Sequence, residues 1–172
     1  PHKMAAEGRT MLGSEQYNWL LNKIETSSAK WNMLGNSVMF SPMNLATLQK
    51  DDKTKPVSSS LSSNITGIPV NGDQWDGYSA ERRLLIDALS KHDAHTLFVT
   101  GDIHSEWAHN ISKDGRIFGA ELVCASVSAP NVNEQLKLPE GNELSKLAER
   151  YLLGANPHTR HVDLDHHGYS FV

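Results

Sequence analysis

The chain has 172 residues, with 16 Lys and Arg against 20 Asp and Glu, for a formal net charge of −4. That length can bury a real core, and the acidic balance excludes the basic footprint of a nucleic-acid binder. No run of about 18 apolar residues is present, so no segment has the length of a membrane-crossing helix, and no basic-then-apolar leader opens the chain. The single cysteine, Cys124, excludes an intrachain disulfide; within Leu122-Val123-Cys124-Ala125 it reads as a small buried hydrophobe rather than a nucleophile. The chain opens on Pro1 instead of Met, which reads as a processed or trimmed start.

The first helical period begins at Ser14, a suitable N-cap, and places Tyr17, Leu20, Leu21 and Ile24 on one face. Val38-Met39-Phe40 reads as a short strand ended by Pro42. From Asn44 to Gly72 no period survives; mixed charges at 51–55 and serines at 58–63 mark a lid or a surface excursion. Ser79 is the expected cap of a second helix with a stripe of Leu84, Leu85, Ala88 and Leu89. The β-branched and aromatic run His95–Thr100 is the strongest strand, and Gly101 reads as its end. Arg116–Val123 is a further strand, in which Gly119 points to a bulge or a close backbone approach. Leu144, Leu147, Ala148, Tyr151 and Leu152 give a third helix, stopped by Gly154 and Pro157. Arg160–Leu164 closes the chain as a strand, followed after a His166-His167-Gly168 turn by Tyr169–Val172. Alternating strands and helices predict an α/β or layered α+β fold, in one domain or a large part of one.

Three clusters have chemical content. After the strongest strand, Gly101-Asp102-Ile103-His104-Ser105-Glu106-Trp107 sets a carboxylate and an imidazole two positions apart. A hard oxygen and a borderline nitrogen aimed at one point suit a metal ion or a pair of them. A turn in which Asp102 bonds its own backbone and His104 is a satisfied surface residue uses the same residues. Asp73-Gln74-Trp75-Asp76-Gly77-Tyr78 precedes the second helix and either lines a pocket mouth at a helix N-terminus or is a capped loop on which Trp75 packs. Asn156-Pro157-His158, His161 and His166-His167-Gly168-Tyr169 form the third cluster; His2, His92 and His109 read as solvated. Gly-x-Gly-x-x-Gly, P-loop, Gly-x-Ser-x-Gly and His-Glu-x-x-His patterns are missing from the sequence, which weighs against nucleotide-fold and serine-hydrolase readings.

Taken in order, several segments resemble those of the PhoD-like alkaline phosphatases. Arg9-Thr10-Met11-Leu12-Gly13-Ser14-Glu15-Gln16-Tyr17-Asn18-Trp19-Leu20 is similar to that family's Arg-Thr-Met-Leu-Gly-x-Glu-Gln-x-x-Trp-Leu signature. Ser28-Ala29-Lys30-Trp31 to Val38 resembles its Ser-x-Ala-x-Trp segment and the strand that goes with it. Asp73–Tyr78 with Glu81 and Arg82 resembles its Trp-Asp-Gly-Tyr-x-x-x-Arg region. Thr100–Trp107 resembles Thr-Gly-Asp-Ile-His-Ser-x-Trp, and Asn156-Pro157-His158 with His167-Gly168-Tyr169 resembles its closing motifs.

The resemblance implies a calcineurin-like metallophosphoesterase: a β-sandwich of two facing sheets flanked by helices, with metals at strand ends. Asp102 and His104 would be metal ligands in a centre of iron and calcium. The carboxylate at Asp102, where the superfamily usually has histidine, hardens that position toward calcium. The implied activity is hydrolysis of phosphomonoesters and phosphodiesters by a metal-activated oxygen nucleophile. Trp75, Asp76 and Tyr78 are expected at the substrate pocket rim, and Arg82 on a phosphate oxygen or in a helix-surface salt bridge. Trp107, His158 and His167 are expected in supporting positions around the ligands. Family habit places such enzymes in the periplasm or outside the cell.

The superfamily's earlier metal motifs have no counterpart in these residues, so residues 1–172 resemble the C-terminal part of one catalytic domain. An N-terminal half is then the expected partner, because two ligands cannot hold a dinuclear centre. Two other readings use the same residues: a non-catalytic metal- or anion-binding fragment, and a relative acting on phospholipid head groups or phosphotriesters.

Overall fold

A computed structural model describes residues 8–45, 71–92 and 95–172, together with residue 6. Most of the expected excursion, and His2, lie outside the described residues. Five strands form one mixed sheet in the order β1-β2-β4-β3-β5. They are β1 (Trp31–Asn36), β2 (His95–Thr100), β3 (Glu106–Lys113), β4 (Arg116–Val123) and β5 (Thr159–Asp163). β1 and β4 both run parallel to β2, whereas β3 is antiparallel to β4 and β5. Asp114 and Gly115, at φ 50° and 79°, make the left-handed turn that joins β3 to β4. Four α-helices accompany the sheet: α1 (Gly13–Glu25), α2 (Ser79–Leu89), α3 (Val132–Gln135) and α4 (Glu143–Ala155), with a 3-10 turn at Trp75–Tyr78. Among the described residues, no helix is long and apolar enough to cross a membrane.

The register decides which side chains meet. Phe98 lies opposite Glu121, which lies opposite His109; Thr100, Val123 and Trp107 form the adjoining row. Period-two alternation puts all six on one face of the sheet. Both apolar clusters form there. One joins Ile24, Phe40, Trp75, Leu85, Leu89, Phe98, Ile111 and Phe118; the other joins Met39, Trp107, Val123, Leu152, Val162 and Leu164. The opposite face carries Trp31 and Met33, each 60% exposed, with Val99, Ala120 and Leu122 only partly buried. Two of the four strand pairs are parallel, and parallel sheets ordinarily bury both faces. Among the described residues, one face is covered and the other is largely open.

Several expectations meet different outcomes. Gly119 does mark a close approach, since a Cβ there would sit 2.6 Å from the Thr96 carbonyl oxygen, beside a register shift after Ile111. Ser14 is not the cap of α1. Leu12 holds that position without a side-chain bond, and Glu81 accepts from the amides of Met11 (2.5 Å) and Leu12 (3.2 Å). A carboxylate from α2 thus holds the two amides at the entrance to α1, whereas the first-turn donors that a local serine was expected to serve take no side-chain cap. Ser79 likewise lies inside α2, which Tyr78 precedes. The edge strand is Trp31–Asn36, not Val38–Phe40. Met39 and Phe40 are instead buried in irregular backbone, and Tyr169–Val172 forms no strand. Leu84, Leu144, Leu147 and Tyr151, read as core stripe, are more than half exposed, so α2 and α4 bury narrower faces than their periods imply.

Glu121 explains why the Met39–Ser41 segment can be buried without pairing in the sheet. Fully buried in β4, it accepts from the amides of Phe40 (2.7 Å) and Ser41 (2.8 Å) and from the Thr100 hydroxyl (2.8 Å). Burial pushes its carboxyl above the usual range, while those hydrogen bonds pull it back. Replacing Glu121 by Leu is expected to lower stability by roughly 3 kcal/mol or more, because two buried amides and a hydroxyl lose their acceptor. Urea unfolding followed by tryptophan fluorescence measures this; an unchanged midpoint would contradict the assignment.

Candidate functional site

β2 delivers the chain to the sheet edge at Thr100, where the Cys124 amide donates to the Thr100 carbonyl at 2.8 Å. The next four residues turn sharply, with the Ile103 amide donating to the Gly101 carbonyl at 3.0 Å. Asp102 and His104 both take left-handed backbone, at φ 76° and 55°. Non-glycine residues rarely do so, and a close pair of them without a hairpin or a helix end to demand it marks stored strain at a site. The other two described cases have ordinary causes: Asp114 makes the β3–β4 turn, and Lys137 follows α3. Asp102 is exposed and His104 half-buried, so the loop presents a carboxylate and an imidazole together at the strand end.

The surroundings fix the His104 ring. Its Nδ1 lies 2.9 Å from the Pro130 carbonyl oxygen, and the Gln135 amide donates to the same oxygen at 3.1 Å. A carbonyl only accepts, so Nδ1 carries the proton and Nε2 keeps a lone pair. Trp107 lies beneath the loop, 2% exposed, with its indole N–H donating to the Ser105 hydroxyl at 2.8 Å. His167 stands next to this group. Its Nδ1 is 2.9 Å from the Ser126 carbonyl oxygen, and its Nε2 is 3.1 Å from Glu134. Acceptors on both nitrogens push its pKa up, the Ser126 carbonyl contributing most.

The expected substrate rim is rearranged. Trp75 is 2% exposed in the core and donates its indole N–H to Asn36. Asp76 is buried, pairs with Arg82 at 2.7 Å and accepts from the Met43 amide at 3.0 Å. Arg82 also donates to the Phe40 carbonyl, so its guanidinium is engaged within the core side of the sheet rather than in a helix-surface salt bridge. Tyr78, half-buried, lies under the Arg9 guanidinium, 4.5 Å from its ring centroid. The structure therefore sets Asp102 and His104 on one loop above Trp107, links His167 to it through Glu134 and the Pro130–Asn131 peptide, and gathers Trp75, Asp76, Arg82 and His158 in the interior.

His158 belongs to a buried pair. His109, expected at the surface, is 2% exposed and lies 5.4 Å from the His158 ring, centroid to centroid. His109 Nδ1 meets the Thr159 hydroxyl at 3.1 Å, whereas its Nε2 has no partner. Burial, with the neighbouring His158, lowers the His109 pKa from 6.5 to about 3. His158 is also lowered, chiefly by burial. Both rings are thus neutral when folded, whereas an unfolded chain takes up protons near pH 6.5. Stability contributed by the neutral His109 ring is complete above its unfolded value of 6.5 and lost as pH falls toward about 3, and His158 contributes in the same direction. The thermal midpoint is expected to drop across that window and to drop less steeply in His109→Gln; equal slopes would contradict it.

Residues with no part in the sequence reading complete the site: Pro130, Asn131, Glu134, Gln135 and Glu121. The first four precede or form α3, where Asn131 and Glu134 make a reciprocal capping box. Asn131-Val132-Asn133-Glu134 has the spacing of such a box, so this signal was legible. Glu121 was visible as a lone charge inside an otherwise apolar strand.

The model of the PhoD-like phosphatase family matches residues 2–172. The chain belongs to that family. It is 33% identical over 168 residues to alkaline phosphatase D of Bacillus subtilis (strain 168), a match covering 94% of this chain and 24% of that protein. Among solved structures it is similar to one described as the structure of PhoD, with a TM-score of 0.70 and 26% identity, over 98% of this chain and 28% of the other. The PhoD-like chain thus spans about a quarter of the length of these relatives. Its mixed α/β architecture agrees with the expected fold, and one sheet of the expected two-sheet sandwich lies within the described residues.

The strained loop gives a direct check. Asp102→Gly and His104→Gly are expected to fold with unchanged stability, or up to ~1 kcal/mol more, because glycine takes positive φ freely. Urea midpoints decide; a clear loss of stability in both would mean that the side chains, not a site, hold the loop.

Proposed function

We propose that the protein to which this chain belongs hydrolyses phosphate esters in a metal-dependent reaction, as a phosphomonoesterase and phosphodiesterase of the alkaline phosphatase D type. One observation carries the reading: Asp102 and His104 share a strained, solvent-facing loop at the end of an interior strand. The donors suit the implied group, since a carboxylate oxygen is a hard ligand and an imidazole anchored at Nδ1 offers Nε2. When bound, iron and calcium would supply a more acidic water and positive charge opposite the phosphoryl group. Asp102 and His104 would hold the cations. Trp107 would seal the base of the loop, and Tyr78 remains the rim residue with partly accessible surface.

Among the described residues, no group of three or more His, Cys, Asp or Glu gathers at a geometry that could hold a metal. The remaining ligands are therefore assigned to an N-terminal half. The open sheet face with Trp31 and Met33 supports that assignment, because it offers apolar area for further polypeptide of the same domain. The longer protein, tested on p-nitrophenyl phosphate and its bis ester, should lose at least ~100-fold in kcat/KM in Asp102→Ala or His104→Ala. The isolated chain should be inactive. Full turnover in both variants would overturn the site, and hydrolysis by the chain alone would overturn the need for a second half.

A further inference from the structure

We propose that His167 and Glu134 are positioning residues, which hold His104 in its Nδ1–H tautomer through the peptide unit between Pro130 and Asn131. The purpose assigned to this arrangement rests on the reading of His104 as a cation ligand. That single peptide unit is held at both ends. Its carbonyl oxygen faces His104 Nδ1 at 2.9 Å, and its N–H donates to a Glu134 carboxylate oxygen at 2.9 Å. The same carboxylate oxygen accepts from His167 Nε2 at 3.1 Å, and the other His167 nitrogen is anchored by the Ser126 carbonyl.

The donors converge on the carboxylate: His104 gives to the Pro130 carbonyl, while the Asn131 N–H and His167 Nε2 both give to one Glu134 oxygen, so His167 acts by holding that carboxylate in place. An amide that donates to a carboxylate has a more polarised carbonyl, so it is a stronger acceptor for the imidazole proton. Asn131 is 3% exposed, and its side chain accepts from the Glu134 amide at 2.9 Å, so the peptide plane cannot rotate away. The alternative tautomer would set an Nδ1 lone pair against the carbonyl oxygen at 2.9 Å. Only the Gln135 amide, at 3.4 Å, could then donate to Nδ1. Outer partners of this kind fix which nitrogen a histidine offers to a metal.

The test is the tautomer itself, read in the full chain labelled with 15N-histidine by long-range 1H–15N correlation spectra over a pH series, at the pH values where the His104 ring is neutral and His167 still carries both protons. His104 should carry its proton on Nδ1 in the wild type and in Gln135→Ala. Glu134→Ala and His167→Phe should give mixed tautomers, with the Asn131 amide proton moved upfield. Glu134→Gln keeps an acceptor and the capping box, so it should fold normally and retain the wild-type tautomer. An Nε2–H tautomer in the wild type would overturn the proposal, as would a tautomer unmoved in both Glu134→Ala and His167→Phe. Manganese titration gives a separate readout, with broadening at His104 and affinity falling ~10-fold or more in Glu134→Ala. A tautomer lost in the variants with no broadening at His104 upholds the positioning role and sinks the metal assignment.

Discussion

The carboxylate of Glu121 sits in the middle strand with no exposed surface, and much of the covered side of the sheet depends on it. A charged group so placed is tolerable only with its acceptors filled. Here two of its three donors are backbone amides, so it binds a length of chain rather than another side chain. By holding Phe40 and Ser41, it stations Phe40 against Trp75 and Phe98, and Met39 against Trp107. By accepting from Thr100, it also fixes the last residue of β2. The loop bearing Asp102 and His104 therefore starts from a fixed point.

From that point the backbone does something costly. Two successive departures into left-handed geometry within four residues are not the route a simple connection would take. They are compatible with a rigid frame on both sides: β2 behind, and Trp107 locked beneath by Ser105. Rigidity below and strain above are the ordinary combination for a site that must present donors without moving them. α3, only four residues long, adds to this frame through its capping box and through Val132, which packs with Ile103 against the second apolar cluster.

The same sheet has two different faces. One buries its aromatic and aliphatic residues under helices and the Met39–Ser41 segment. The other leaves Trp31 and Met33 largely exposed. Among the described residues nothing covers that second face as the helices cover the first. His109 and His158 show the contrast from within. On the covered face, even an imidazole is dry enough to be held neutral.

Local chemistry determined a good deal of this from the residues alone. The β-branched run 95–100, the glycine at 119 and the helical periods read over 14–24, 79–89 and 144–152 follow from side-chain shape and spacing, and all appear as elements or close contacts. The Asp102–His104 spacing marked the loop for the same reason. Other features needed the tertiary structure. Trp75 and Asp76 look like a pocket rim in sequence, and only the arrival of Asn36, Met43 and Arg82 from distant positions makes them interior. His109 looks solvated until the register sets it on the covered face opposite Glu121. The carboxylate that holds the chain entering α1 comes from Glu81, about 70 residues away, and the anchor of His104 from a carbonyl 26 residues on. Sequence spacing encodes what a residue's neighbours in the chain allow; which long-range partner fills a donor or buries a ring depends on packing, and that is decided only when the sheet is assembled.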